Sequence, residues 1–275
     1  MDEASVKQDE VPSRPPPSRV AIIGMLVGTM LLWSLCYPLI RIGLDYAPPF
    51  HFAALRAALA GGALCLLAVL RKRSFPRRPT LWLWLALAGL GTTTTGFYGM
   101  FFAGGLVAPG IATIVANTQP LIAAILAFIV LHEQLGRIQW LGLLIGFVGI
   151  VAIAVPAMGA DQAASSFAGL TYVLVAAVGV AAGNLAIKRV AGEVDVLVGM
   201  GLQMLIGAVP LVVLASLLEQ PSPDMTAPAF VGVLLLISLA GTSLAFVLWC
   251  TALRHVPGSY TPLTLATILG VTVPG

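Results

Sequence analysis

Charge is what this 275-residue chain has least of. Asp, Glu, Lys and Arg together make up 9% of it, hydrophobic residues 59%, and mean hydropathy is +1.00. A soluble globule dresses its surface with roughly a quarter charged residues. With so few, most of the outer surface must be apolar and face lipid, which excludes a soluble enzyme, a nucleic-acid binder and a disordered chain together. The net charge of +3 is therefore a topology signal and not the mark of a polyanionic partner. Cysteine is scarce too. Cys36, Cys65 and Cys250 all lie in apolar runs without metal-ligand spacing, so neither a disulfide framework nor a thiolate metal site is expected.

Carboxylates within the apolar runs are missing altogether. Asp45, Glu133, Asp161, Glu193, Asp195, Glu219 and Asp224 sit in loops or at helix ends, and the other four acids are near the N-terminus. Intramembrane ionisable groups mark ion and proton paths. Their absence argues against a carboxylate relay coupled to protons or sodium, and against a cavity for multivalent cations. Uncharged, zwitterionic or anionic solutes fit better. His132-Glu133-Gln134-Leu135-Gly136 starts like a zinc-protease motif but has Gly136 where the second histidine must stand. A Gly-x-Ser-x-Gly elbow is also absent, so no metal, no cofactor and no enzymatic activity are expected.

What the chain does have is long apolar segments, each near the about 20 residues that cross a bilayer. They cover about 20–42, 50–70, 81–106, 111–131, 140–155, 168–187, 196–218 and 230–253, and a ninth opens near Ser259 and is still apolar at Gly275. The breaks carry turn formers such as Pro48-Pro49, Pro109-Gly110 and Pro257-Gly258. Residues 1–19, with Pro12 and Pro15 to Pro17, read as a disordered cytoplasmic tail. Lys7, Arg14 and Arg19, then Arg71, Lys72, Arg73, Arg77 and Arg78, then Arg137, Lys188, Arg189 and Arg254 all fall on one side of alternating helices. The positive-inside rule makes that side cytoplasmic, giving an all-helical multi-pass inner-membrane protein with its N-terminus inside.

The chain also repeats. Shifted by 148 residues, Arg41 falls on Arg189, Thr94-Thr95 on Thr242-Ser243, Pro109-Gly110 on Pro257-Gly258, and Thr113 on Thr261. Five spans per unit is an odd number, so the second unit enters the membrane from the opposite face. Inverted repeats of this kind build alternating-access transporters, with the solute held where the repeats meet.

Several stretches are recognisable in order. They are Leu32-Trp33-Ser34, Pro38-Leu39-Ile40-Arg41, Ala54-Leu55-Arg56, Pro120 followed by Glu133, Gln139-Trp140-Leu141-Gly142, and Trp249-Cys250-Thr251-Ala252-Leu253-Arg254. Together they resemble the EamA family of the drug/metabolite transporter superfamily. The resemblance implies ten helices in two inverted five-helix repeats, here 20–156 and 167–275, and export of metabolites, amino acids or drug-like solutes. By the same offset Pro120 meets Ile268, and the counterpart of Glu133 would stand at about position 281, past Gly275. The expectation is a second repeat that stops inside its ninth helix, compromised in stability, with a face for lipid or a second copy to cover. The alternative function is then an inactive fragment or a non-transporting scaffold.

Helical spacing selects the solute-contact candidates. Trp33 and Tyr37 share a face, as do Thr94 and Tyr98; Thr113 and Asn117 line up near Pro120; Asn184 stands in the sixth span; Thr242 aligns with Phe246 and Trp249 in the eighth. Rings with a few hydroxyls and amides suit a small amphipathic solute. Helix–helix packing is the plainer reading of each alone. Arg56, inside the second span, reads either as a partner for a substrate carboxylate or, the preferred reading, as a structural charge; Arg41 at a span end is read as structural, and Glu133 as a helix-end group. Gly142, Gly146 and Gly149 read as a close-packing face, and Pro38, Pro120 and Pro210 as kinks.

Overall fold

The computed structural model describes residues 18–107, 109–116, 163–190, 192–220 and 223–254, with isolated positions between 118 and 152. All its elements are helices. The first span is α1, Arg19–Ser34, and α2, Cys36–Gly43; the second is α3, Pro49–Leu70. The third is α4, Pro79–Ala88, then a π-helical segment Gly89–Thr95, then α5, Gly96–Gly104. After α6, Pro109–Ala116, come α7, Ala163–Val190, and α8, Val196–Leu218. The last described rod is α9, Pro228–Leu235, a second π segment Leu236–Leu244, and α10, Ala245–Arg254. Among the described residues, five stretches are long and apolar enough to cross a membrane: Val20–Gly43, Pro49–Leu70, Phe167–Ile187, Val196–Leu218 and Pro228–Trp249. The protein is a multi-pass membrane protein.

Local chemistry explains where the helices start and stop. Ser18 accepts the Ala21 amide with its hydroxyl at 3.2 Å, and Asp195 accepts the Leu197 amide at 3.0 Å. Pro49, Pro79 and Pro228 each occupy the first turn, where a missing N–H costs nothing. At the end of α3 the Arg73 amide reaches Ala68 O and the Lys72 amide reaches Val69 O, which requires Lys72 at φ 52°. That is a Schellman closure with lysine in the place glycine usually takes. The expected kink at Pro38 is present: the helix breaks at Leu35, one turn earlier, and Ser34 turns its hydroxyl onto Leu31 O. Pro210, by contrast, sits inside an unbroken α8.

Helices α3 and α8 run antiparallel in contact. At one end Glu219 accepts the amides of Phe50 and His51 at 2.7 and 2.9 Å and pairs with His51 Nδ1 at 2.8 Å. At the other end Arg73 lies 3.6 Å from Asp195, and Arg78 lies 3.0 Å from Glu193. Thus the basic loop after α3 and the loop after α7 share one face of the bundle. On the opposite face the Asp224 amide donates to Tyr46 O at 3.1 Å, joining two further loops. The Thr226 hydroxyl and amide hold the Asp224 carboxyl below the usual carboxylate range.

Lipid is as apolar as leucine, so burial alone does not hold such helices together; close packing and hydrogen bonds do. Leu217 and Val20 accordingly stand 74% and 79% exposed on the outside. Inside, Phe52 meets Phe101 and Phe230 edge-on at 4.9 and 5.3 Å, tying α3 to α5 and α9. Glycines let the first π segment approach its neighbours backbone to backbone. A Cβ on Gly91 would stand 2.7 Å from both Gly179 O and Gly183 N of α7, and Gly89 sits against Gln203 and Gly207 of α8. A Cβ on Gly149, expected on a packing face, would meet nothing within 4 Å; Gly142 and Gly146 lie outside the described residues.

Both π segments fall at the sequence offset of 148: Gly89–Thr95 lands within Leu236–Leu244, and α3 lands on α8. Their hydroxyl chemistry is shared as well. Thr95 donates to Leu90 O, Thr242 to Ile237 O and Ser243 to Ser238 O, each five residues back. That reach supports a five-residue turn, and π turns concentrate at functional sites.

Candidate functional site

A cavity of about 240 Å³ opens between α1–α3, the first π segment and α5 on one side, and α7, α8, the second π segment and α10 on the other. Five of the expected residues line it: Trp33, Tyr37, Asn184, Thr242 and Phe246. The ring of Trp33 meets Phe246 edge-on at 5.9 Å, so the first and eighth spans close one wall together.

Three expected residues are absent from the wall. Trp249 is buried behind Trp33, ring centroids 5.7 Å apart. Thr94 donates to Gly207 O at 2.8 Å, bracing the first π segment on α8. Tyr98 stacks on Phe50 at 5.7 Å and meets Tyr172 edge-on at 5.6 Å, in an aromatic cluster away from the cavity. Thr94 and Tyr98 each stand one residue past a pair that does line the cavity, Thr93 and Phe97. Thr92 and Thr93 face the cavity instead. Asn117, Pro120 and Glu133 lie outside the described residues.

Two polar groups organise the walls. Gln203, 2% exposed in the middle of α8, accepts the hydroxyls of Thr92 and Thr93 on its Oε1, the latter at 2.9 Å. Arg56, read from sequence as structural, lines the cavity from α3 at 4% exposure. Its Nε donates to Thr242 Oγ1 at 3.2 Å, and its Nη atoms lie 3.5 Å from Met100 Sδ and Cys36 Sγ. Its guanidinium carbon stands 4.4 Å from the Phe97 ring centre. The ion pairs among the described residues, His51–Glu219, Arg73–Asp195 and Arg78–Glu193, are all at helix ends. Nor do these residues contain a group of three His, Cys, Asp or Glu able to hold a metal ion.

Sequence reading passed over Gln203, Thr92 and Thr93. Gln203 had a usable signal, being an amide in the middle of a 23-residue apolar helix. The threonines had none that singled out the right pair, since four stand in a row.

The profile of the EamA-like transporter family matches two segments, residues 20–155 and 167–273. The chain belongs to that family. It is similar to YvbV of Bacillus subtilis, named an uncharacterized transporter, at 27% identity over 86% of this chain and 75% of that protein. It is also similar to protein PecM of Dickeya dadantii, 30% identical over 74% of this chain and 65% of PecM. A chloroplastic WAT1-related protein of Arabidopsis thaliana is 29% identical over 72% of this chain and 48% of its own length. The chain thus spans from about half to three quarters of these relatives. A solved crystal structure superposes with a TM-score of 0.60 at 24% identity, covering 94% of this chain and 91% of that one, which shows a shared fold. The family is one of membrane transporters.

Proposed function

We infer that this transporter exports small amphipathic metabolites, amino acids among them, across the inner membrane, with its N-terminus cytoplasmic. The observation that carries the reading is the cavity, walled by both halves of the chain and lined by rings, hydroxyls and amides. The two halves, 20–156 and 167–275, act as inverted repeats that rock about the antiparallel α3–α8 contact. Support comes from the 148-residue offset shared by the sequence landmarks, the π segments and the α3–α8 pair. A π turn carries a looser hydrogen-bond ladder than an α turn, which suits a segment that must flex beside a bound solute. Trp33, Tyr37, Asn184, Thr242 and Phe246 contact the solute in this scheme. The basic residues from Arg71 to Arg78 put their loop on the cytoplasmic face.

Flux of radiolabelled amino acids in proteoliposomes tests it. Wild-type vesicles should exceed protein-free vesicles, and Trp33→Ala should lower the rate about tenfold by removing one wall of the cavity. Wild-type flux no faster than protein-free leakage overturns the reading.

A further inference from the structure

Arg56 poses a charge problem that the described residues do not solve. Its guanidinium carries five N–H donors and a full positive charge that it cannot shed. One donor meets the Thr242 hydroxyl, whose own proton goes to Ile237 O; two nitrogens face only sulfur, at 3.5 Å. Sulfur is a weak acceptor. The Phe97 ring offsets part of the charge, and no described carboxylate pairs with it. Removing such a charge from water without a counter-ion is among the costliest things a membrane protein does. Yet the group is 4% exposed, and among the described residues the open space it faces is the cavity.

The rest of the cavity wall limits what the counter-ion is. Trp33, Phe97, Phe246, Met200 and Met204 supply rings and thioethers, which accept an apolar body of variable shape. Across the cavity, the buried polar group of α8 is the neutral Gln203 and not a second cation. One fixed positive charge, in a wall whose other polar groups such as Tyr37, Asn184 and Gln203 are neutral, matches one negative charge on a largely apolar body.

We propose that Arg56 is the anion-binding residue of the cavity, and that its solutes are amphipathic monocarboxylates, the carboxylate seated on the guanidinium and the body among Trp33, Phe97 and Phe246. Amides and amines of the same shape are poorer ligands, because they leave the guanidinium uncompensated. This deepens the transporter reading and rests on it.

A matched ligand series separates the two. Binding of radiolabelled phenylacetate, phenylacetamide and phenethylamine is measured at neutral pH on the full chain in nanodiscs, against empty nanodiscs. The wild type should hold phenylacetate about tenfold or more tighter than the amide. Arg56→Gln should abolish that preference, and Arg56→Lys should retain part of it. Equal or weaker binding of the acid relative to the amide on the wild type overturns the proposal, as does an undiminished preference in Arg56→Gln. Protein-dependent amino-acid flux without any acid preference overturns this inference alone. Absence of both binding and flux overturns it together with the transporter reading.

Discussion

The two π segments are made of similar residues and do opposite jobs. Gly89–Thr95 is clamped: its glycines touch the backbones of α7 and α8, and Thr92, Thr93 and Thr94 all donate to α8. Leu236–Leu244 is looser. A Cβ on Gly241 would find its nearest neighbour, Cys36 Sγ, at 3.4 Å; Thr242 donates to Ile237 O of its own helix, and Ser243 stands 3.1 Å from both Ser238 O and Ala60 O of α3. The partner groups differ in the same sense. Against the first segment stands Gln203, an acceptor that is fully used; against the second stands Arg56, a donor with capacity left over. The first segment is thus the fixed side, and the second faces the donor on which the proposed carboxylate would sit.

Matched alanines break that comparison most sharply. Gly91→Ala forces a methyl against two backbone atoms of α7 that cannot swing aside, and should cost about 3 kcal/mol or more. Gly241→Ala meets only ordinary contacts and should stay within about 1 kcal/mol of wild type. Melting temperature and monodisperse yield in detergent read both out. Equal loss in the two variants would mean that the segments are equally clamped.

The polar anchors come next. Gln203→Leu keeps the volume but strips the Thr93 hydroxyl, 1% exposed, of its acceptor, at a cost of about 2 kcal/mol. Thr92 loses less, because Ala88 O, 2.8 Å away, can take its one proton instead. Arg56→Met should behave in the other direction. It removes an uncompensated buried charge, and Thr242 keeps Ile237 O, so thermal stability should hold or rise while solute binding is lost. An Arg56→Met protein that melts well below wild type would make Arg56 a structural strut.

Much of this architecture is legible in the sequence. Apolar run length finds the rods, prolines at first turns mark their starts, and a spacing of four puts Trp33 and Tyr37 on one face of the cavity. What is not legible is which of four consecutive threonines reach the cavity: Thr92 and Thr93 do, with Gly96 and Phe97 four residues on, while Thr94 donates to Gly207 O and Tyr98 stacks on Phe50. The surroundings of Arg56 are not legible for another reason. Its position in a span says that it is buried, but only the fold shows that Thr242, Met100 and Cys36 surround it in place of an acid.

The smallest test concerns the helix starts, where the inequality of the halves continues. Helix α8 carries its own N-cap, Asp195, whereas α3 begins at Pro49 after Pro48, which offers no side-chain acceptor. It borrows one from the other half of the chain: Glu219, at the end of α8, takes the Phe50 and His51 amides. A carboxylate there also complements the positive end of the α3 dipole. Glu219→Gln keeps an acceptor oxygen and loses the charge, so it should cost about 1 kcal/mol. Because His51 Nδ1 shares the same oxygen, His51→Ala and Glu219→Gln should not add in a double-mutant cycle followed by thermal melts. Asp195→Ala, at the opposite end of α8 beside Leu197 N and Arg73, should add fully to Glu219→Gln. Additive losses for His51 and Glu219 would show that the contact joining the two halves at this end is incidental, and that α3 starts on its prolines alone.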